Sequence, residues 1–291
     1  MNSYQILYTK YYSMIGHEHL EERFKKLVKS NGLNHAYLFF GPPQVGKHSF
    51  ALSFANFLEN GSFEKPVKFL NECLVVAPVI EETKESIGID AVRGFKKFLY
   101  ELPVNSDYRV GIIDNAEYLT TDAQNALLKI AEEPPAHALL IINASNPNVL
   151  IRPLQSRLQK IYFSSVKKAD IAKMLIAEHG LIKDKASEIA ALSFGSPGFA
   201  IDLISNPEII AMKKEVEMLI KNPSGWKKAV GGLVNIENKA KIEPFLKVLL
   251  ATLAVNPKEN YGELGSITNR LTMMKDWNTN KKIQLEAIKL I

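Results

Sequence analysis

The chain has 291 residues, 46% of them apolar and 23% charged, with a formal net charge of +5. That length can bury a sizeable core and suggests two or three units, and the composition is that of an ordinary folded globule rather than a disordered or fibrous chain. No apolar run approaches the roughly 18 residues a membrane helix needs, no signal-peptide layout opens the sequence, and the single cysteine, Cys73, excludes an internal disulfide and a cysteine-based zinc cluster.

A reducing, cytoplasmic location is therefore expected. Residues 1–13 hold four tyrosines without clear periodicity, whereas Met14-Ile15-Gly16-His17-Glu18 looks like the start of a domain, so 1–13 read as an extension. Leu20, Phe24, Leu27 and Val28 fall at helical spacing. That helix is expected to end near Asn31-Gly32, with the glycine in the left-handed cap. Ala36–Phe40 is short, apolar and rich in aromatics, the pattern of a buried strand.

The strand leads into Gly41-Pro42-Pro43-Gln44-Val45-Gly46-Lys47-His48-Ser49, after which Phe50, Ala51, Phe54, Ala55 and Leu58 recur at helical spacing. Strand, loop and helix follow in the order a phosphate-binding loop requires. In such a loop the glycines let backbone N–H groups wrap the phosphates, the lysine contacts the outer phosphates, and a hydroxyl directly after it holds Mg²⁺. Gly41, Gly46 and Lys47 match. His48 stands in the hydroxyl's slot, and Ser49 comes one residue late, about 100° further round the helix. The loop geometry is expected to be real. Whether Lys47 holds a nucleotide, an anion or solvent stays open at this stage.

Residues 60–85 read as irregular, broken by Gly61, Pro66 and Pro78. Ile89, Val92, Arg93, Lys96 and Leu99 predict a helix before Pro103, and Arg109–Ile113 a buried strand ending on Asp114. Asp122–Glu133 predicts a helix with Ala123, Leu127, Leu128 and Ala131 on one face, stopped by Pro134-Pro135. Ala138–Ile142 is another buried strand. Alternating strands and helices around a phosphate loop imply an α/β domain with a mainly parallel sheet over residues 1–163.

Strand signals vanish after Lys167. Short helices are expected over Ala169–His179 and Lys185–Leu192, with a further one opening at Gly195-Ser196-Pro197-Gly198, giving a small helical domain over 164–206. Residues 207–291 read as an all-helical unit with turns at Asn222-Pro223 and Asn256-Pro257. This last stretch holds 14 Lys/Arg against 9 Asp/Glu, while residues 1–206 hold 22 of each. The excess is compatible with a nucleic-acid or acidic partner, but the basic residues are scattered without aromatic platforms, which favours solvated helix faces.

Asp114 closes its strand where a nucleotide hydrolase places a magnesium-associated acid. Alone it is equally a turn or capping residue; beside the phosphate loop it reads as half of a relic site. Hydrolysis also needs a glutamate directly after that aspartate. Position 115 is Asn, and Glu117 sits two residues beyond, where a strand-to-helix turn is not expected to aim it at the same water. Losing the hydroxyl and the glutamate together predicts slow or absent hydrolysis.

His35-Ala36-Tyr37-Leu38-Phe39 with the loop, Ser86-Ile87-Gly88-Ile89-Asp90 with Arg93, Ile112–Glu117, Asn125-Ala126-Leu127-Leu128-Lys129 with Glu132-Glu133-Pro134-Pro135, Arg152–Arg157 and Gly195–Ala200 occur in this order. Together they resemble the delta-prime branch of the bacterial DNA polymerase III clamp-loader family, within the AAA+ proteins. The resemblance implies an AAA+ P-loop domain, a helical lid over 164–206 and an all-α collar over 207–291 that assembles a ring. It implies as partners the gamma/tau ATPase subunits, a clamp-opening delta subunit, the sliding clamp and primer–template DNA.

Family ATPase sites receive an arginine finger from a neighbour's Ser-Arg-Cys motif. Ser156-Arg157-Leu158 keeps the first two, so the resemblance makes Arg157 a finger acting in trans, where sequence alone would read it as a surface salt bridge. The lid-motif arginine of ATPase relatives is replaced by Gly198, and Ser145 is the expected polar sensor. The family's four-cysteine zinc module is reduced to Cys73, so no structural zinc is expected. A non-hydrolysing subunit with a degenerate nucleotide site of Gly41, Gly46, Lys47, Ser49 and Asp114, needing no cofactor and binding ATP or an anion weakly, follows. The alternative is an active gamma/tau-type ATPase.

Overall fold

The computed structural model describes residues 14–81, 84–233, 242–253 and 260–276, with Leu285 and Ile288. The tyrosine-rich segment 1–13 and the turn expected at Asn256-Pro257 lie outside the described residues.

In chain order the strands are β1 (Ala36–Phe40), β2 (Cys73–Val76), β3 (Val79–Glu81), β4 (Lys84–Ser86), β5 (Arg109–Ile113), β6 (Ala138–Ala144) and β7 (Gln159–Tyr162). Five of them form a sheet in the order β2-β5-β6-β1-β7, parallel throughout; β3 and β4 pair antiparallel apart from it. The helices of this region are α1 (Glu18–Lys29), α2 (Lys47–Asn60), α3 (Ile89–Tyr100), α4 (Thr121–Glu132) and the single turn α5 (Arg152–Gln155).

Parallel strands are buried on both faces, which explains the nearly continuous apolar runs of β1, β5 and β6. One face carries an aromatic cluster of Phe24 of α1, Phe50 and Phe54 of α2, Tyr37 and Phe39 of β1, Phe63 and Phe163, in which Phe24 meets Phe39, Phe50 and Phe54 edge to face. Leu38, Ile113, Leu140 and Ile142 line the other face against Val92, Phe95 and Leu99 of α3 and Leu127 and Ile130 of α4. Thr120 caps α4 by accepting the Ala123 N–H at 3.2 Å.

Two expectations are corrected here. At the end of α1 the left-handed residue is Asn31 (φ 55°) rather than Gly32, whose N–H reaches back to the Leu27 carbonyl at 2.8 Å. Asparagine is the side chain that best tolerates this conformation, so it takes the cap and leaves glycine to close the turn. The segment read as irregular contains β2, an edge strand of the main sheet registered along β5. Cys-Leu-Val-Val is too short for a periodic signal, and only its pairing with β5 makes it a strand.

Beyond the sheet the chain is helical, as expected: α6 (Lys168–His179), α7 (Lys183–Leu192), α8 (Pro197–Ser205), α9 (Pro207–Lys221), α10 (Trp226–Leu233), α11 (Ile242–Leu253) and α12 (Tyr261–Asp276). Two compact units divide the molecule, Met1–Met174 with Gly195–Gly198, and Leu175–Phe194 with Phe199–Ile291. In the second, α11 packs on α7, α9 and α12, burying Val216, Phe245, Leu246 and Leu249. The Trp226 indole N–H donates to the Leu285 carbonyl at 3.0 Å. No helix among the described residues is long and apolar enough to cross a membrane.

Candidate functional site

The loop after β1 turns sharply at Gly41, where φ is +145° and a Cβ would lie 2.1 Å from the Phe163 carbonyl oxygen. Phe163 follows β7 and donates its N–H to the Phe40 carbonyl at 2.8 Å, so the two parallel strands leave no room for a side chain. Gly46, at φ +110°, is the N-cap of α2. Both glycines are therefore demanded by backbone geometry, whatever the loop binds.

The five carbonyls Gly41 to Val45 all accept hydrogen bonds from the chain itself. Lys47 Nζ donates to Gly41 (2.8 Å) and Pro42 (2.7 Å), Ser196 Oγ to Pro43 (3.1 Å), and the Gly198 N–H to Gln44 (3.1 Å). His17 Nε2 lies 2.9 Å from the Val45 carbonyl. Burial pushes the His17 imidazole below its usual pKa, favouring the neutral ring that donates there. This shell holds the loop in shape, and no side chain caps the start of α2. Sequence reading missed His17 and Ser196, and saw in Gly198 only a lost arginine. Pairing over such separations leaves no local signature.

Asp114 follows β5 and is nearly enclosed. His48 Nδ1 approaches its Oδ2 to 3.3 Å, without full hydrogen-bond alignment, and Asn143 Nδ2 donates to its Oδ1 at 2.9 Å. Burial opposes the charge of this carboxyl, yet His48, Asn143 and the Lys47 ammonium together hold it below the usual carboxylate range. Burial pushes Lys47 down to about 8, against the opposing pull of Glu117 and Asp114. Ser49 is buried in α2, and it is His48 that meets Asp114.

The polar side chain of β6 that meets Asp114 is Asn143, while Ser145, just past the strand, offers its N–H to the Glu117 carboxylate. Asn143 was legible in principle as the lone amide in an apolar strand. Asn115 adopts a left-handed conformation (φ 54°, ψ 60°), and Glu117 two residues on accepts the Ser145 N–H. Its charge opposes the burial-driven fall of the Lys47 pKa.

Magnesium at such a site takes oxygen ligands in near-octahedral geometry. Here an imidazole fills the position beside Asp114, so the residues present do not fit that ion. Among the described residues no group of three or more His, Cys, Asp or Glu is arranged to hold a metal.

Arg157 lies apart from this cluster. It precedes β7, which runs parallel to β1 with Tyr37 opposite Gln159 and Phe40 opposite Tyr162. The phosphate loop leaves the far end of β1, so Arg157 sits at the opposite end of the sheet, about 15 Å away along the strands at the usual rise per residue. Its Nη1 donates to the Pro153 carbonyl at 2.5 Å, and its Nη2 to Glu132.

A sequence profile described as DNA polymerase III, delta subunit, matches residues 16–167, more than half of the chain. The chain belongs to that family. It is also 34% identical over 166 residues to a DNA polymerase III subunit gamma/tau of Mycobacterium tuberculosis, covering 52% of this chain and 29% of that protein. With DNA polymerase III subunit tau of Bacillus subtilis it shares 30% identity over 209 residues, 65% of this chain and 37% of that one. The chain thus spans well under half the length of these two relatives. A gamma subunit-related structure from Thermotoga maritima overlaps 91% of this chain and 96% of its own, at 20% identity and a TM-score of 0.48.

Proposed function

We propose that this chain is a non-hydrolysing, delta-prime-type subunit of the bacterial DNA polymerase III clamp loader, helping to place the sliding clamp on primed DNA. The observation that carries the reading is His48 lodged against Asp114, where an ATPase of this kind needs metal and water. Asn115 adds to it, because its left-handed backbone disfavours the glutamate that would activate that water. The P-loop then serves as a brace, shaped by its own chain and binding ATP or an anion weakly, with no zinc module.

In the same reading residues 164–206 act as lid and 207–291 as collar, in a cytoplasmic ring with gamma/tau-type ATPases and a delta-type subunit around primer–template DNA. Arg157 serves a neighbour's site. Its position at the sheet end opposite its own loop supports action in trans, where such a finger is worth roughly 10³–10⁵ in rate. Two measurements test the proposal: ATP turnover by the purified chain, expected to be negligible, and DNA-stimulated turnover by the reassembled loader, expected to fall with Arg157→Ala.

A gamma/tau-type ATPase is the second reading, favoured by the family of both relatives above and by Glu117, whose charge acts on Lys47. It requires motor-like turnover by the isolated chain, abolished by Lys47→Ala.

A further inference from the structure

Arg157 is not a free side chain. Nη1 donates to the Pro153 carbonyl at 2.5 Å and more weakly to Ser156 Oγ at 3.4 Å, while Nη2 donates to Glu132 Oε1. Pro153 and Ser156 closely precede Arg157 in sequence, so these bonds are local. Glu132 is 25 residues away, the last residue of α4. That helix is capped by Thr120 and seated in the core through Leu127, Ile130 and the adjacent Ala131, so its end is a fixed point.

A guanidinium offers five N–H donors in a rigid fork. Three are engaged here, two within the Pro153–Arg157 turn and one across to α4, which fixes the plane of the group and leaves two donors for a partner. The pair is partly exposed, with the Arg157 side chain 31% accessible and that of Glu132 45%, so the group is presented at the surface rather than sealed beneath it. An exposed pair of this kind contributes little to folding, and its geometric effect is the more consequential one.

We propose that Glu132 is a positioning residue for Arg157. It anchors the arginine to a rigid helix so that the guanidinium reaches a neighbouring subunit's phosphates already oriented, rather than being ordered at the moment of reaction. The inference rests on the finger reading above and adds to it a second residue with a separable role. The carboxylate's hydrogen bond carries the effect; its charge is secondary, because it partly offsets the field Arg157 presents.

The test uses the loader reassembled with its cognate ATPase and delta-type subunits, carrying this chain as wild type, Glu132→Gln, Glu132→Ala or Arg157→Ala. DNA-stimulated ATP turnover is measured across substrate concentration, and assembly by gel filtration. Glu132→Ala is expected to lower kcat about 3- to 10-fold with KM and assembly unchanged, as a small misplacement of a catalytic group does. Glu132→Gln, which keeps an acceptor, is expected to retain most of the rate. Wild-type or faster turnover with Glu132→Ala, while Arg157→Ala is impaired, overturns the positioning role. Loss of assembly in both Glu132 variants makes the contact structural and overturns it too. Unchanged turnover with Arg157→Ala removes the finger itself, and this proposal with it.

Discussion

His48 Nδ1 stands 3.3 Å from Asp114 Oδ2, so the chain places one of its own side chains beside the carboxylate that closes β5. The contact joins the first turn of α2 to the end of a central strand and accounts for two sequence anomalies at once. The hydroxyl is missing because a larger group fills the space, and Asp114 remains because it has a partner.

On the proposed reading, His48→Ser is expected to open the position and to give tighter, magnesium-dependent ATP binding than the parent chain. Equilibrium titration of labelled nucleotide with and without Mg²⁺ measures this. Tight, metal-dependent binding by the unmodified chain would contradict the assignment of His48.

Asn115 is left-handed. Restoring the glutamate of a hydrolase by Asn115→Glu should cost about 1 kcal/mol, the penalty for a non-glycine, non-asparagine residue there, and should not create turnover. Asn115→Gly should be close to neutral. Denaturant midpoints of the three proteins decide it, and a stabilised or hydrolytic Asn115→Glu variant would show the backbone argument to be wrong.

Arg109 and Glu72 form a buried pair at 3.1 Å, with Glu72 only 2% exposed. The Glu72 carboxylate also accepts the Val104 and Asn105 N–H groups, and the guanidinium bonds the Asn71, Glu101 and Leu102 carbonyls and lies over the Phe98 ring. Arg109→Met should cost about 3–5 kcal/mol by stranding a buried charge. Adding Glu72→Gln should recover part of that loss. An Arg109→Met melt superimposable on that of the parent would sink the prediction.

Two pH dependences follow. Lys47, with its pKa at about 8, loses charge within an accessible range, so phosphate or sulfate binding at the loop should weaken as pH rises through about 8. Stability moves the other way. Between about 8 and the ordinary lysine value of 10.5 the unfolded chain holds a proton that the fold does not, so this group favours folding increasingly across that window. His17 acts at lower pH. Its value is depressed below 6.5, the unfolded chain takes up the proton first, and the stability it contributes is full above 6.5 and drains away as pH falls through the depressed value. Anion binding followed from pH 7 to 9.5, and melts from pH 7 to 4.5 with His17→Gln alongside, measure the two effects.

Much of the site was legible because it is local. Gly41, Gly46 and Lys47 lie within seven residues, and the glycines are forced by the backbone at the places where the pattern requires them. The central strands were legible because burial on both faces leaves nearly continuous apolar runs in β1, β5 and β6. Reading failed where four residues carry too little periodicity, as in β2. It failed again where side chains act at long range: Asn143 meets Asp114, and His17 and Ser196 hold loop carbonyls.

By itself the sequence determined the strand–loop–helix of the phosphate loop, the parallel sheet and the departures from a hydrolytic pattern, since each is written in neighbouring residues. Only the tertiary structure decided that His48 occupies the place beside Asp114, that five loop carbonyls are held from within, and that Arg157 faces the far end of the sheet in the grip of Glu132. Those relationships depend on which strand ends and helix ends meet. That is fixed by packing and register over separations at which a sequence leaves no periodic trace.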